Sequence, residues 1–506
     1  MASRPPPLVL TGGAEVTVDA INFRHSHSSQ RRRNYIRSEA YTSQNVCFHA
    51  LRRFLERNSL LQDSFGRVVI ARGHFARGPG LTMNTGLPAV GRLCRPQLTL
   101  IGALISLQKR AYPRRQPIQP AVQAFAGVRP FNSWQKAGDA AFDFRIDNTA
   151  GDVVTKPTAS MLDAIANTSL LDDNFQEDPT TNALQEFMAK LTNHEDSLLV
   201  MSGTMGNQVA IRTHLTQPPY AVLCDHRAHI IHSEGGGVTT WTGAYLNGIV
   251  PRNGKYLMLE DIQNHAVLDD DFHGCPTRVI SLENTLDGTI MPLSETQRIC
   301  EWAHRNDLRV HLDGARLWEA VVAGAGSLTD FTSCADSVSL CFSKGLGSPI
   351  GSILVGSEEF IRKARWFRKS IGGGTRQAGV IAAAARVAVE ETFGSGPNGE
   401  GGKLLNSHKL ARRIAASWTE KGGIVKIPVE TNMVWIDLDA AGISFVDWEE
   451  IGRQEGLKLM GDRLVLHYQI SEEAMTRLER VMDRAFKGEY GGCSTPSTPG
   501  RYYGQI

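Results

Sequence analysis

Residues 337–351 read SVSLCFSKGLGSPIG, and a second apolar run follows at 352–355. An apolar run, a turn rich in glycine, serine and proline, and another apolar run predict a strand, a tight loop and a second strand. Lys344 lies where the first strand ends. Apolar neighbours lower the pKa of a lysine and make it a nucleophilic amine, as a Schiff-base lysine must be, whereas most loop lysines are simply solvated. Other motifs in the chain decide between these two interpretations.

The charge distribution divides the chain into a basic leader and an acidic body. Residues 1–140 contain 20 Lys and Arg against 6 Asp and Glu, which leaves 34 against 46 for the remainder. The leader has poor periodicity, so we expect a poorly structured extension or an over-extended gene model. Its arginines are also compatible with an organelle transit peptide or a nucleic-acid-binding arm.

Cysteine usage and hydropathy limit the class of protein. The eight cysteines form no CxxC pair, and several lie inside apolar runs. This pattern predicts reduced, partly buried thiols in an intracellular protein. No stretch approaches the roughly 18 consecutive apolar residues of a membrane span, and the start, MASRPPP, lacks the apolar core of a signal peptide. We therefore expect a cytoplasmic protein, or a mitochondrial one if the leader is a transit segment, with neither a membrane nor a nucleic acid as partner.

From about residue 141, short apolar runs alternate with helical patterns. This alternation predicts an α/β domain with a mainly parallel sheet. Ligands bind at the carboxyl ends of the strands in such sheets. Four predicted strands have a polar residue at or just after that end. These residues are Asp225, Glu283, Asp313 and Lys344.

Beyond this domain the composition and the pattern of apolar residues change. Residues 394–402, GSGPNGEGG, are typical of a linker or flexible loop, and the helices and strands predicted after them form a smaller α/β module. The remainder is rich in Gly, Ser, Pro and Tyr and is typical of a flexible tail. We therefore predict four segments: the basic extension at 1–140, a large domain at 141–393, a small C-terminal domain at 394–487 and the tail at 488–506.

Residues 202–207, SGTMGN, form a predicted turn that opens a helix. Backbone N–H groups, hydroxyls and the helix dipole at such a turn suit an anion, although a capping turn without a ligand is the commoner meaning. The chain contains no GxxxxGK[ST] motif, so the turn is not a nucleotide P-loop.

Two further motifs carry chemistry. In HLDGAR (311–316), Asp313 can hold a heteroaromatic nitrogen protonated and Arg316 can clamp a carboxylate or phosphate, with a surface ion pair as the alternative. In DHRAHIIH (225–232), three histidines at spacing three drift around a helix and no HExxH accompanies them, so we expect no metal. Stacking on a flat ring is a better use of His229.

A cofactor with a phosphate, a pyridine nitrogen and an aldehyde would use all of these groups. Pyridoxal phosphate is such a cofactor, an electron sink held by a lysine Schiff base with an acidic partner on its ring nitrogen. The combination makes the large domain a predicted cofactor-binding domain and Lys344 its Schiff-base lysine.

Residues 144 to about 393 resemble the low-specificity threonine aldolases of the β-eliminating lyase group. The resemblance weakens towards residue 487 and does not cover 1–140. It implies an aspartate-aminotransferase-like fold with a mainly parallel seven-stranded sheet and a small C-terminal α/β domain. The matching stretches are VTKPT (154–158), EDPTTN (177–182), SGTMGNQ (202–208), Asp225 with RAH (227–229), ENT (283–285), HLDGAR (311–316), SKG (343–345), SPIGS (348–352) and GGGTRQAG (372–379).

The resemblance also implies roles for single residues. Lys344 carries the Schiff base, Asp313 pairs with the pyridine nitrogen and His229 stacks on the ring. The implied reaction cleaves L-threonine or L-allo-threonine to glycine and acetaldehyde in a homodimer or homotetramer. His229, or a water that it orients, takes the β-hydroxyl proton. The remaining implied ligands are Gly203, Thr204 and Arg376 for the phosphate, and Arg316 and Arg463 for the substrate carboxylate.

Two departures from the family pattern leave alternatives open. A family serine that helps bind the substrate carboxylate is replaced here by six residues, 146–151, just before Asp152. Many relatives also have a histidine after Glu-Asn-Thr, where this chain has Leu286. The alternatives are an alanine-type racemase on the same scaffold and a catalytically impaired homologue that binds the cofactor.

Overall fold

The computed structural model describes residues 138–145, 151–269 and 271–489. The largest feature of this part is a seven-stranded sheet. Its strands are β1 Asp196–Val200, β2 Ala221–Asp225, β3 Tyr245–Ile249, β4 Thr277–Glu283, β5 Arg309–Asp313, β6 Ser337–Cys341 and β7 Ser352–Gly356. They lie in the order β1-β7-β6-β5-β4-β2-β3.

Strand β7 runs antiparallel to both of its neighbours, β1 and β6. The other pairs, β2–β3, β2–β4, β4–β5 and β5–β6, are parallel. The prediction of a mainly parallel seven-stranded sheet is therefore confirmed. Strand β7 turns back because residues 342–351 connect it directly to β6, and a crossover to a parallel neighbour needs about a dozen residues or more.

The sheet is covered by helices. Every residue of β2, β6 and β7 is buried, as expected for strands that have helices on both faces. The α-helices between residues 151 and 393 are α1 Ala159–Ala166, α2 Pro179–Thr192, α3 Gly203–His214, α4 His229–His232, α5 Gly237–Thr242, α6 Leu259–His265, α7 Leu293–Arg305, α8 Leu317–Val322, α9 Leu328–Thr332, α10 Glu358–Ser370 and α11 Gly379–Ala388, which continues as the π-helical turn Val389–Phe393.

Residues 394–402 do not form the predicted linker or flexible loop. They form a hairpin of two short antiparallel strands, β8 Gly394–Ser395 and β9 Glu400–Gly401. A Cβ at Gly402 would overlap the carbonyl oxygen of Phe393. Glycine is needed here for close backbone approach rather than for flexibility, which the composition alone could not reveal.

The C-terminal part forms a smaller module with its own core. A three-stranded antiparallel sheet, β10 Val425–Ile427, β11 Met433–Ile436 and β12 Arg463–Val465, packs with helices α12 Leu404–Glu420, α13 Phe445–Gln454 and α14 Glu472–Phe486. Trp418 and Trp448 meet edge to face in this core, with ring centroids 5.8 Å apart. Phe144 also lies in the core. The boundaries proposed between domains remain predictions.

Several predictions concern residues outside the described part. They are those for the basic extension up to residue 137, for residues 146–150 of the insertion and for the tail from residue 490. None of the described helices combines the length and the apolar character of a membrane-spanning segment. The described cysteines are free thiols, as predicted: Cys224, Cys275, Cys300, Cys334 and Cys341.

Trp418 provides a test of the core of the smaller module. Because Trp418 is fully buried, we expect Trp418→Ala to reduce the free energy of unfolding by ~3–5 kcal/mol, as measured by urea denaturation. The control is Trp366→Ala, since Trp366 on α10 is 73% exposed, and its effect should stay within about 0.5 kcal/mol. Equal losses in the two variants would contradict this packing.

Candidate active site

Lys344 lies in the loop between β6 and β7 and is half-buried. The loop is held by hydrogen bonds to the carbonyl oxygen of Lys344 from the Gly347 N–H, at 2.9 Å, and from the Thr155 hydroxyl, at 3.1 Å. A Cβ at Gly345 would lie 2.7 Å from Glu319 Oε1, so glycine allows the loop to lie against buried acidic groups. The positive charge of Lys344 favours the ionised forms of the Asp152 and Glu283 carboxyl groups.

Asp313 is the last residue of β5 and is buried. Its Oδ2 accepts a hydrogen bond from Asn207 Nδ2 at 2.6 Å, and its Oδ1 accepts one from the N–H of Ala315 at 3.0 Å. A buried carboxylate needs such donors to remain charged. Both contacts therefore satisfy the buried carboxylate and fix its orientation at the end of β5.

His229 begins α4 and is held between two acidic residues. Its backbone N–H donates to Glu283 Oε2 at 2.9 Å, and its ring Nδ1 lies 2.9 Å from Glu234 Oε1. Burial alone would lower the pKa of His229, but the hydrogen bond to Glu234 and the negative charge of Asp313 outweigh it and raise the pKa. Since Nδ1 donates to Glu234, Nε2 is the nitrogen left for a ligand.

Glu283 ends β4 next to Asp313, which is its Cα partner across the two parallel strands. Burial raises the pKa of Glu283 to about 8, with the Asp313 carboxylate adding to the effect. The N–H and ring of His229 and the charge of Lys344 oppose it. The carboxyl group can therefore hold a proton near neutral pH, at the same sheet edge as Lys344.

The predicted phosphate cradle is the start of α3. Ser202 caps this helix, and its hydroxyl accepts the N–H of Met205 at 3.1 Å. The first N–H groups of a helix have no acceptor within it, so those of Gly203 and Thr204 suit an anion. A Cβ at Gly203 would lie 3.9 Å from the thiol sulfur of Cys341. The cradle is therefore next to the end of β6, from which the Lys344 loop departs.

Arg316 forms a two-pronged ion pair with Asp152. Arg316 Nε donates to Asp152 Oδ2 at 3.0 Å, and Arg316 Nη2 donates to Oδ1 at 2.7 Å. Burial would raise the pKa of Asp152, but the charge and hydrogen bonds of Arg316 hold it below its ordinary value. Arg316, predicted to bind a substrate carboxylate, is thus already oriented by a carboxylate of the chain.

Arg463 reaches the same region from β12 of the smaller module. Its Nη1 lies 3.3 Å from Asp287 Oδ1, and its guanidinium carbon lies 4.9 Å from the ring centroid of Trp435. Burial lowers the pKa of Arg463 to about 10, opposed by Asp287. The Arg316 charge also lowers the pKa of Arg463, and the Asp152 charge raises it. The two predicted carboxylate-binding arginines are therefore near enough to interact electrostatically.

Comparison with known proteins identifies the family. Residues 148–441 match the β-eliminating lyase family. The chain belongs to this family. The predicted membership of the β-eliminating lyase group is confirmed, and the family match covers the strands and loops that carry Lys344, Asp313 and His229.

Relatives of this lyase-family chain include proteins named as an aldolase, an alanine racemase and a threonine aldolase. It is 53% identical over 355 residues to Aldolase vrtJ of Penicillium aethiopicum, covering 70% of this chain and 89% of the relative. It is 43% identical over 357 residues to Alanine racemase TOXG of Cochliobolus carbonum, covering 71% and 90%. It is also 43% identical over 349 residues to a low-specificity L-threonine aldolase of Eremothecium gossypii, covering 69% and 88%.

A solved structure supports the fold. A Leishmania major threonine aldolase superposes with a TM-score of 0.57 at 19% identity, covering 68% of this chain and 99% of that one. At this identity the likeness concerns the fold alone.

Arg376 is far more exposed than the other candidate residues of this β-eliminating lyase family member. Its side chain is 71% exposed, and its Nη1 pairs with Asp172 Oδ2 at 2.8 Å. Arg376 therefore lies largely in solvent. Gly203 and Thr204, in contrast, lie close to the Lys344 loop. The contact of Arg376 with a phosphate stays a prediction.

Ligand atoms of His229, Glu234 and Asp313 lie within 4.8 Å of one another, an arrangement that could hold a cation. Asn207 Nδ2 donates to both Glu234 Oε1, at 2.9 Å, and Asp313 Oδ2, and Glu234 also accepts from His229. Hydrogen bonds thus engage all three groups, and the expectation of no metal stays a prediction.

The sequence motifs assign no individual role to Asn207, Glu234 or Asp287. Asn207 lies at the end of the SGTMGN stretch, and Glu234 comes five residues after His229. Their partners are distant in the chain or set by a turn, so spacing alone does not reveal them. The available signal was slight, because Glu234 is a buried carboxylate within a largely exposed Ser- and Gly-rich stretch and Asp287 is only half-buried.

The Asp152–Arg316 pair leads to a stability prediction. Asp152→Asn removes the carboxylate that pairs with the buried Arg316 guanidinium, and we expect a loss of ~3–5 kcal/mol in the free energy of unfolding, measured by urea denaturation. Glu186→Gln is the control, because the Glu186–Lys190 pair on α2 is exposed and is worth only ~0.3–0.5 kcal/mol. Similar losses in both variants would show that the Arg316 charge is not desolvated.

Proposed function

We propose that the protein is a pyridoxal-phosphate-dependent aldolase, a carbon–carbon lyase that cleaves L-threonine or L-allo-threonine to glycine and acetaldehyde. The observation that carries the proposal is the convergence of Lys344, Asp313, His229 and the start of α3 at one edge of the sheet. Family membership and the threonine aldolases among the relatives support it. The product places the enzyme in amino-acid metabolism, as a source of glycine.

The residues present fit pyridoxal phosphate. The free N–H groups at Gly203 and Thr204 would hold the phosphate, the buried Asp313 carboxylate would hold the ring nitrogen protonated, and Lys344 would form the Schiff base. His229 would lie against the ring. When bound, the cofactor supplies an electron sink for the pair released at the substrate Cα.

The arginines orient the substrate. Arg316 and Arg463 carry two positive charges near each other in a largely buried site, where a carboxylate binds more strongly than in water. Asp152 holds Arg316 in one orientation by two hydrogen bonds. A fixed carboxylate fixes which bond at Cα stands perpendicular to the ring, and this decides which bond breaks.

His229 is the proposed base for the β-hydroxyl proton, directly or through a water that it orients. Its Nδ1 donates to Glu234, so the neutral ring presents the lone pair of Nε2. Glu234 is itself fixed by the amide of Asn207. Loss of the hydroxyl proton drives Cα–Cβ cleavage and releases the aldehyde.

The chemistry of the relatives motivates a second candidate. A chain 43% identical to this one is named an alanine racemase, and a racemase would use the same Schiff-base lysine but break Cα–H. A cofactor-binding homologue without turnover is the third candidate, since residues 146–151 stand in the sequence where the family has a serine that helps bind the substrate carboxylate. We further propose a homodimer or homotetramer, located in the cytoplasm or, if the leader is a transit segment, in mitochondria.

Lys344 tests the main proposal. We expect purified protein with added pyridoxal phosphate to release acetaldehyde from L-threonine or L-allo-threonine, and Lys344→Ala to lose this activity by about 10³-fold or more, because the Schiff-base amine is gone. Lys363→Ala, which removes a half-exposed lysine on α10, is the control and should keep normal turnover. Normal turnover in Lys344→Ala would refute the assignment.

Product analysis separates the candidates. The aldolase forms acetaldehyde and glycine from threonine, whereas a racemase forms D-alanine from L-alanine. A protein that absorbs visible light from bound cofactor but forms neither product is the impaired homologue. We expect acetaldehyde, measured by coupled reduction, to be the major product.

The pH dependence tests the role of His229. A base must be neutral, so activity should rise as the pH passes above the raised pKa of His229. Glu234→Gln removes the carboxylate that stabilises the cation, and we expect the acid limb of the kcat/KM profile to move about one pH unit lower. Glu186→Gln, at an exposed pair on α2, should leave the limb in place. An unmoved limb in Glu234→Gln would show that another group is the base.

A further inference from the structure

A chain of side-chain hydrogen bonds leads from Asp313 through the interior to the far end of α3. Asn207 Nδ2 lies 2.6 Å from Asp313 Oδ2, and His311 Nε2 lies 3.0 Å from Asn207 Oδ1. Ser337 Oγ lies 2.9 Å from His311 Nδ1 and 2.8 Å from His214 Nε2. We call these five residues the Asp313 chain.

Regular structure places the members of the Asp313 chain together. Asn207 and His214 are seven residues apart on α3 and therefore share one face of the helix. His311 and Asp313 are two residues apart on β5 and point to one face of the sheet. Ser337, the first residue of β6, is the Cα partner of His311. Asn207, His311 and Ser337 are almost completely buried.

The direction of each hydrogen bond follows from the acceptors. Asn207 Nδ2 donates both of its hydrogens, one to Asp313 and one to Glu234, because carboxylates only accept. Asn207 Oδ1 must then accept, so His311 carries its proton on Nε2. His311 Nδ1 accepts from Ser337, whose oxygen in turn accepts from His214 Nε2. Every donor in the chain is directed towards Asp313.

Both histidines are held neutral. Burial lowers the pKa of His311 to about 4 and that of His214 to about 3. A neutral imidazole has one donor and one acceptor, so the chain has a single consistent arrangement. Reversing the Asn207 amide would place its oxygen against two carboxylates and its NH₂ against the His311 N–H. That reversal would require His311, Ser337 and His214 to change together.

We propose that Asn207 and His311 are positioning residues that hold the Asp313 carboxylate directed at the pyridine nitrogen of the cofactor. The inference rests on the proposed function. Asp313 touches the ring nitrogen, whereas Asn207 acts through Asp313 and His311 acts through Asn207. The chain supplies the fixed dipoles that a buried carboxylate needs, without adding another charge to the site.

The test uses magic-angle-spinning 15N NMR of the full-length protein. In the first measurement, protein with 15N-labelled histidine is examined without added cofactor, and His311 is identified by the signal lost in His311→Gln. We expect a proton on Nε2 and none on Nδ1. A proton on Nδ1 would overturn the inference without bearing on the proposed function.

The second measurement follows pyridoxal phosphate labelled with 15N in the ring. We expect a protonated ring nitrogen in the holoenzyme and a shift towards the unprotonated value in His311→Phe, with cofactor binding weakened about tenfold or more. His311→Gln should restore the wild-type signal, because its amide N–H can still donate to Asn207 Oδ1. A wild-type signal in folded, cofactor-bound His311→Phe would overturn the inference.

A matched pair of serines covers the case in which His311→Phe does not fold. Ser337→Ala removes the hydroxyl that fixes His311, whereas Ser197→Ala removes a buried hydroxyl of β1 that bonds the carbonyl of Gln185 at 2.8 Å. We expect the ring-nitrogen signal to shift in the former and not in the latter, and equal signals would contradict the inference. If the wild-type protein holds no cofactor, the proposed function fails and so does the role of Asp313 at a ring nitrogen. The His311 proton position still decides the arrangement of the chain.

Discussion

A buried carboxylate is stable only where donors or cations surround it, and two such carboxylates organise this site. Asp313 is satisfied by neutral donors, the Asn207 amide and a backbone N–H. Asp152 is satisfied by the Arg316 guanidinium. The difference matters chemically, because the charge of Asp152 already orients an arginine of the chain, whereas Asp313 is bonded only by neutral donors and its proposed partner is the ring nitrogen of the cofactor.

The two buried carboxylates also influence the pKa values of neighbouring titratable groups. Glu283 lies beside Asp313 at adjacent strand ends, and burial together with the Asp313 charge raises its pKa to about 8. His229 lies near Asp313, Glu283 and Glu234, and its pKa is raised despite burial. The site therefore stores protons on residues that surround the place predicted for the ring. A base and a proton reservoir within one edge of a sheet suit proton transfer to and from a bound amino acid.

The smaller module completes the site from the other side. Strand β12 carries Arg463 to Asp287, which follows β4, and Trp435 of β11 donates its indole N–H to the carbonyl of Asp287 at 3.0 Å. The position of one predicted substrate ligand thus depends on packing between the module and a loop of the larger sheet. A change in that packing would alter carboxylate binding without touching Lys344.

The amino-acid sequence by itself determined the α/β class, the mainly parallel sheet and the position of Lys344 just after a buried strand, because these depend on local periodicity and on residues close in the chain. It also led to Asp313 and His229 as candidates, through motifs of a known family. It did not reveal that residues 394–402 form a hairpin. A glycine-rich stretch has the same composition whether the glycines allow flexibility, a bend or a close backbone contact.

Only the tertiary structure decided the partners. Asn207 and Asp313 are 106 residues apart and Asp152 and Arg316 are 164 apart, so no local pattern links them. Hydrogen bonds and ion pairs are made between surfaces that strand order and helix packing bring together. The kinds of groups in the site were thus set by the sequence, while their charges and orientations were set by neighbours that only folding supplies.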